Sequence, residues 1–190
     1  MRLFTGIELD AAVVRAASEL VAELTRRCER LAPRARVAWI TPEQMHITVR
    51  FIGHRDDEAC ARIRAELDGP LPVPPFTLTI GGLGSFPPRG SPRVLWVGLS
   101  GDIERLRATE REVTARLARV SVPPDDRPYS PHLTIGRVKE PGGLKTLPLF
   151  QGFGDIALGT SSVEAITLFE SRVSSKGPTY IPLQRTALLS

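Results

Sequence analysis

The chain has 190 residues, 42% hydrophobic and 24% charged, which suits one globular domain with a sizeable core and argues against disorder or coiled coil. Its net charge of +4 is carried by 22 Arg and only 3 Lys. Guanidinium forks suit phosphate oxygens, so the balance is compatible with a phosphate or nucleic-acid ligand, although Arg-rich codon usage produces the same bias.

From the N-terminus, Leu3–Leu9 reads as a strand and Asp10 as a helix cap. Apolar residues at Val13, Ala17, Leu20, Leu24, Cys28 and Leu31 give the next segment one buried helical face. Arg36–Ile40 and Met45–Ile52 read as strands around the Thr41-Pro42 turn. Asp56-Asp57 opens a helix that Gly69-Pro70 ends, and Phe76–Ile80 reads as a strand. Gly81–Ser91 has the composition of a loop. Arg93–Leu99 reads as a strand. Asp102 caps a helix with Ile103, Leu106, Val113, Leu117 and Val120 on one face. A turn-rich stretch, Pro123–Pro131, leads into a strand at His132–Val138, and further strands are expected at Ser162–Phe169 and Thr179–Leu183. Strands and helices alternate without a regular βαβ rhythm, which favours α+β with largely antiparallel sheets.

No run approaches the roughly 18 apolar residues of a membrane helix, and Met1–Asp10 lacks a signal-peptide pattern. Cys28 and Cys60 lie outside any CxxC or Cys/His cluster, so two free buried thiols and a cytoplasmic protein are expected.

The chain repeats one pattern. Thr41-Pro42 leads to His46-Ile47-Thr48-Val49, and Ser130-Pro131 leads to His132-Leu133-Thr134-Ile135. The two histidines lie 86 residues apart, which suggests two related lobes. Thr fills 14 of 190 positions, so two of three histidines having Thr two residues later is a roughly 1–2% coincidence. On a strand, residues i and i+2 share a face. Each strand therefore offers an imidazole beside a hydroxyl, with Ile47, Val49 and Phe51, or Leu133 and Ile135, on the apolar face behind. If the lobes face each other, two imidazoles and two hydroxyls meet in one cleft. This set suits phosphate-ester cleavage: one neutral imidazole takes a proton from water, a charged one protonates the departing oxygen, and the hydroxyls bind phosphate oxygens. His54 has no Thr partner and reads as a surface residue. There is no HExxH, P-loop or Gly-x-Ser-x-Gly motif, so a metal centre, a nucleotide-triphosphate loop and a serine nucleophile all lack their signatures.

The paired motifs resemble those of the RNA 2′,3′-cyclic phosphodiesterases, also called 2′-5′ RNA ligases, within the 2H phosphoesterases. The likeness extends to Arg2–Leu9, to Trp39–His46, to Gly84–Pro87 and Arg93–Trp96, and to Leu168–Ser171 and Gly177–Tyr180, and so covers nearly the whole chain. The resemblance implies a single bilobal α+β domain over residues 1–190, with two pseudo-symmetric lobes around a central cleft, helices outside, no metal and no cofactor. It implies hydrolysis of RNA 2′,3′-cyclic phosphate ends to 2′-phosphates and a reversible 2′-5′ ligation. His46 would be the proton donor and His132 the proton acceptor. Thr48 and Thr134 would bind phosphate, joined by Arg137, five residues after the second histidine, and Arg50. Strict alternation sets Arg137 opposite His132 unless Gly136 marks a bulge, and it sets Arg50 on the His46 face. The expected partners are RNA 3′ ends or cyclic nucleotides, acted on by a monomer. Alternative readings are a phosphodiesterase for small cyclic nucleotides or 2′-5′ oligonucleotides, and an RNA-end binding module without turnover.

Overall fold

A computed structural model of the protein describes residues 1–175 and 177–189. In chain order the strands are β1 (Arg2–Glu8), β2 (Arg36–Trp39), β3 (His46–His54), β4 (Phe76–Phe86), β5 (Val94–Gly101), β6 (Leu133–Glu140), β7 (Ala157–Val163), β8 (Ala165–Ser174) and β9 (Gly177–Ala187). The helices are α1 (Ala11–Leu31), α2 (Asp57–Glu66), α3 (Ile103–Ala118) and α4 (Thr146–Phe150), with a 3-10 turn at Pro42–Gln44. The strands form one sheet in the order β7-β4-β5-β6-β3-β1-β8-β9, with β2 paired to β6. Every pairing between these strands is antiparallel.

The sheet has a narrow waist. β3 and β6 meet through one register pair, Ile47 opposite Leu133. Beyond it they diverge, so one half (β3-β1-β8-β9) and the other (β7-β4-β5-β6-β2) open away from each other. The long helices cross this waist. α1 follows β1 in sequence but lies against β6 and β7, and α3 follows β5 but lies against β3. Apolar residues at helical spacing explain both helices: Val13, Ala17, Leu20, Leu24 and Cys28 are buried on α1, and Leu106, Val113 and Leu117 on α3. Both cysteines are buried free thiols. Among the described residues no helix is long and apolar enough to cross a membrane.

Several local expectations need correction. Leu31, assigned to the buried face of α1, is exposed. Asp10 does not cap α1 with its side chain. Its Oδ2 instead accepts from the Ser162 amide, and its own amide donates to Ser161 Oγ, which ties the helix entry to β7. Asp102 likewise accepts from the Thr77 amide rather than from α3. Only Asp56 caps as expected, accepting from the Ala59 amide at 2.7 Å.

Gly81–Ser91 is not all loop, because β4 continues to Phe86. Its glycines mark close approach: a Cβ on Gly84 would sit 2.1 Å from the Trp96 ring, and one on Gly81 would sit 2.6 Å from the Ile156 carbonyl. The expected Ser162–Phe169 strand is the end of β7 and the start of β8, broken at Glu164. The short helix α4 carries no clear periodic signal and lies outside the elements expected from sequence.

Candidate active site

The waist assembles the site. Ile47 and Leu133 are both fully buried, so their flanking residues face the other way. In an antiparallel pair with Ile47 opposite Leu133, His46 comes beside Thr134, and Thr48 beside His132. The four side chains form a quartet with approximate twofold symmetry.

The two imidazoles are held alike. His46 Nδ1 lies 2.7 Å from the Gln44 carbonyl, and His132 Nδ1 lies 2.8 Å from the Ser130 carbonyl. A carbonyl only accepts, so each Nδ1 carries the proton and each Nε2 is left for chemistry. His46 Nε2 is 3.1 Å from Thr48 Oγ1. Gln44 is fixed in turn: it closes a capping box with Thr41 and donates to the Pro178 carbonyl at 2.7 Å. The His46 ring packs on Phe4, centroids 4.8 Å apart, and meets Tyr180 edge-on at 5.1 Å. His132 meets Phe86 edge-on at 5.1 Å and Trp96 at 6.3 Å. Gly6 leaves room for the first ring, since a Cβ there would come within 3.2 Å of His46 Cδ2.

Burial drives the His46 pKa down to about 4, and the charges of Arg137 and His132 push in the same direction against the Gln44 hydrogen bond. His132 is also lowered, chiefly by burial and then by Arg137, against its bond to Ser130. The two rings and Arg137 therefore share one electrostatic neighbourhood.

A cleft of about 440 Å³ opens where β3 and β6 diverge, lined in part by Thr48, Phe51, Glu110, His132, Thr134 and Arg137. Arg137 reaches it because of a bulge: Trp96 pairs with Thr134 and Leu95 with Gly136, so Ile135 is the extra residue. The Gly136 signal in the sequence marks this place.

Arg50 differs from its expected placement. A second bulge, with Gly6 opposite Thr48 and Thr5 opposite Arg50, breaks the alternation on which that placement rested, and Arg50 is buried while still lining the cleft. It is 6% exposed, donates to Asp125 Oδ2 at 3.0 Å and to the Pro123 carbonyl, and so anchors the loop before His132. The same bulge moves Phe51 out of the core, where alternation sets it; the residue is 53% exposed and lines the cleft.

Tyr129 is a further residue that motif spacing does not mark. Its hydroxyl, three residues before His132, donates to the Thr48 carbonyl at 2.9 Å and joins the two motif segments directly. Burial holds its pKa well above the usual phenol range. His54 is exposed at the end of β3. Among the described residues, no group of three or more His, Cys, Asp or Glu is placed to hold a metal ion.

An antiparallel α+β sheet that brings two His-x-Thr strands together at its waist is the 2H phosphoesterase fold. Residues 13–172 match the model of the 2′-5′ RNA ligase superfamily, and the chain belongs to that superfamily. It is 34% identical over 145 residues to an RNA 2′,3′-cyclic phosphodiesterase of Aeropyrum pernix, covering 74% of this chain and 80% of the relative. It is 30% identical over 186 residues to one from Archaeoglobus fulgidus, covering 97% and 98%. Among solved structures it is similar to TT0787 of Thermus thermophilus, with TM-score 0.72 and 26% identity over 99% of this chain and 98% of the other. It shares the fold of Escherichia coli LigT complexed with 3′-AMP, with TM-score 0.73 and 22% identity over 100% and 98%.

Proposed function

We propose that the protein hydrolyses RNA 2′,3′-cyclic phosphate ends to 2′-phosphates by acid–base catalysis between two imidazoles, without a metal. The observation that carries this reading is the pair of Nδ1–carbonyl bonds. They fix both rings in one tautomer and leave both Nε2 atoms free of the backbone, that of His46 lying 3.1 Å from the Thr48 hydroxyl. The named phosphodiesterase relatives support the substrate class.

His132 Nε2, neutral, takes a proton from water as the water oxygen attacks phosphorus. The bond from phosphorus to O3′ breaks, and His46 Nε2–H delivers a proton to O3′, leaving the phosphate on O2′. Thr48 and Thr134 donate to the non-bridging oxygens, and Arg137 offsets their charge. Arg50 serves the phosphate indirectly, by holding the loop that presents His132. The bound anion raises both lowered imidazole pKa values, which lets His46 carry its proton. With a 5′-hydroxyl in place of water as the attacking group, the same forward transfers open the cyclic phosphate and make a 2′-5′ linkage. The two sheet halves act as lobes of one catalytic domain.

The test is incubation in EDTA with 2′,3′-cyclic mononucleotides and short RNAs bearing cyclic ends, followed by identification of the phosphate isomer. A 2′-phosphate formed at an undiminished rate is expected. His46→Ala and His132→Ala should each lower kcat by about 10²-fold or more while the fold is retained. A 3′-phosphate product, loss of activity on chelation, or full turnover in either variant would refute the mechanism.

A further inference from the structure

The cleft holds a carboxylate that phosphate chemistry does not need. Glu110 reaches its lining from α3 and is half-buried. Its Oε1 accepts from the Thr114 hydroxyl at 2.8 Å. Among the described residues no salt bridge neutralises it. Asp125, the other carboxylate of the lining, is held by Arg50. Glu110 thus carries no ion pair in a cleft read as the seat of an anionic substrate; Arg50, Arg127 and Arg137 line the same cleft, and beside them the carboxylate is the group a phosphate does not call for.

An ionised carboxylate can only accept, so the substrate must bring donors. A ribonucleotide carries them on its base. The cleft volume of about 440 Å³ lies in the range of small-ligand pockets. His132 and Thr134 line this cleft together with Phe51 and Glu110, so a nucleotide whose cyclic phosphate sits at His132 has room there for its base. Phe51 offers an exposed ring, and stacking on aromatic rings is how unpaired bases are commonly held while their edges are read. Guanine presents two adjacent donors, N1–H and N2–H, to a carboxylate. Uracil presents one N–H flanked by two carbonyls, which a carboxylate repels.

We infer that Glu110 is a specificity residue that accepts from the Watson–Crick edge of a guanine, so that RNA ends terminating in guanosine 2′,3′-cyclic phosphate are preferred. This role rests on the proposed phosphodiesterase activity. The test measures kcat/KM for the four 2′,3′-cyclic mononucleotides with the wild-type protein and with Glu110→Gln, which keeps shape and removes charge. The guanosine-to-uridine ratio should be about tenfold in the wild type, the size of discrimination a bidentate contact gives, and should collapse towards one in the variant. Using the ratio cancels the general gain in anion binding that loss of a negative charge brings. Turnover of all four nucleotides at similar efficiency by the wild type, or an equal change for all four in the variant, overturns the role of Glu110 and leaves the phosphodiesterase reading standing. Failure of the wild type to turn over any cyclic nucleotide or cyclic-ended RNA removes both.

Discussion

His46 and His132 each commit Nδ1 to a carbonyl two residues upstream, and each sits among aromatic side chains, with burial lowering its pKa. Arg137 lowers both further by charge. Replacing it with Gln removes that charge, so both imidazole pKa values rise. The expected outcome for Arg137→Gln is a kcat/KM–pH profile whose two limbs move to higher pH, along with a lower maximum; a titration series with a cyclic mononucleotide measures it. Burial of His46 also makes folding sensitive to pH. Above about 6.5 the ring is neutral both folded and unfolded. As pH falls towards 4, the unfolded chain takes up a proton that the folded site resists, so stability is lost across that window, by roughly 3 kcal/mol in full. Urea unfolding at pH 7 and at pH 4.5 should show a smaller loss in His46→Gln than in the wild type, and equal losses would contradict the lowered pKa.

The elements work through their irregularities. The bulge at Val49 and Arg50 turns an arginine onto the loop before His132 and releases Phe51 to the cleft, and the bulge at Ile135 brings Arg137 round to His132. Uninterrupted alternation would have exchanged these roles. β4 shows the same principle in its glycines. Gly84 lies beneath Trp96, which in turn backs His132. A methyl group there overpacks the site, so Gly84→Ala should cost about 1–3 kcal/mol and displace Trp96. A lower Tm together with a shifted tryptophan emission and reduced kcat is the expected result; an unchanged emission spectrum would show that Trp96 does not rest on Gly84.

Across the whole molecule, two sheet halves share one register pair at the waist and are locked by helices that cross it. The Tyr129 hydroxyl on the Thr48 carbonyl adds a direct tie between the two motif segments. Its loss in Tyr129→Phe removes one hydrogen bond, worth about 1 kcal/mol, and loosens the spacing between the imidazoles. A several-fold fall in kcat with little change in KM is expected while the protein is still fully folded at the assay temperature. A fall in Tm with kcat intact would make the tyrosine structural only.

The α+β class, most of the helices and strands, and the quartet of His46, Thr48, His132 and Thr134 could be read from the chain alone, because period-2 and period-3.6 patterns and a duplicated motif are local properties. The directions of Arg50, Phe51 and Arg137 could not, nor could the bonding of Asp10 and Asp102 to strands instead of helices, nor the arrival of Tyr129 and Glu110 at the cleft. A bulge depends on the partner strand, and a residue such as Glu110, on a helix with no motif around it, acquires its surroundings only when α3 crosses the waist to lie behind β3.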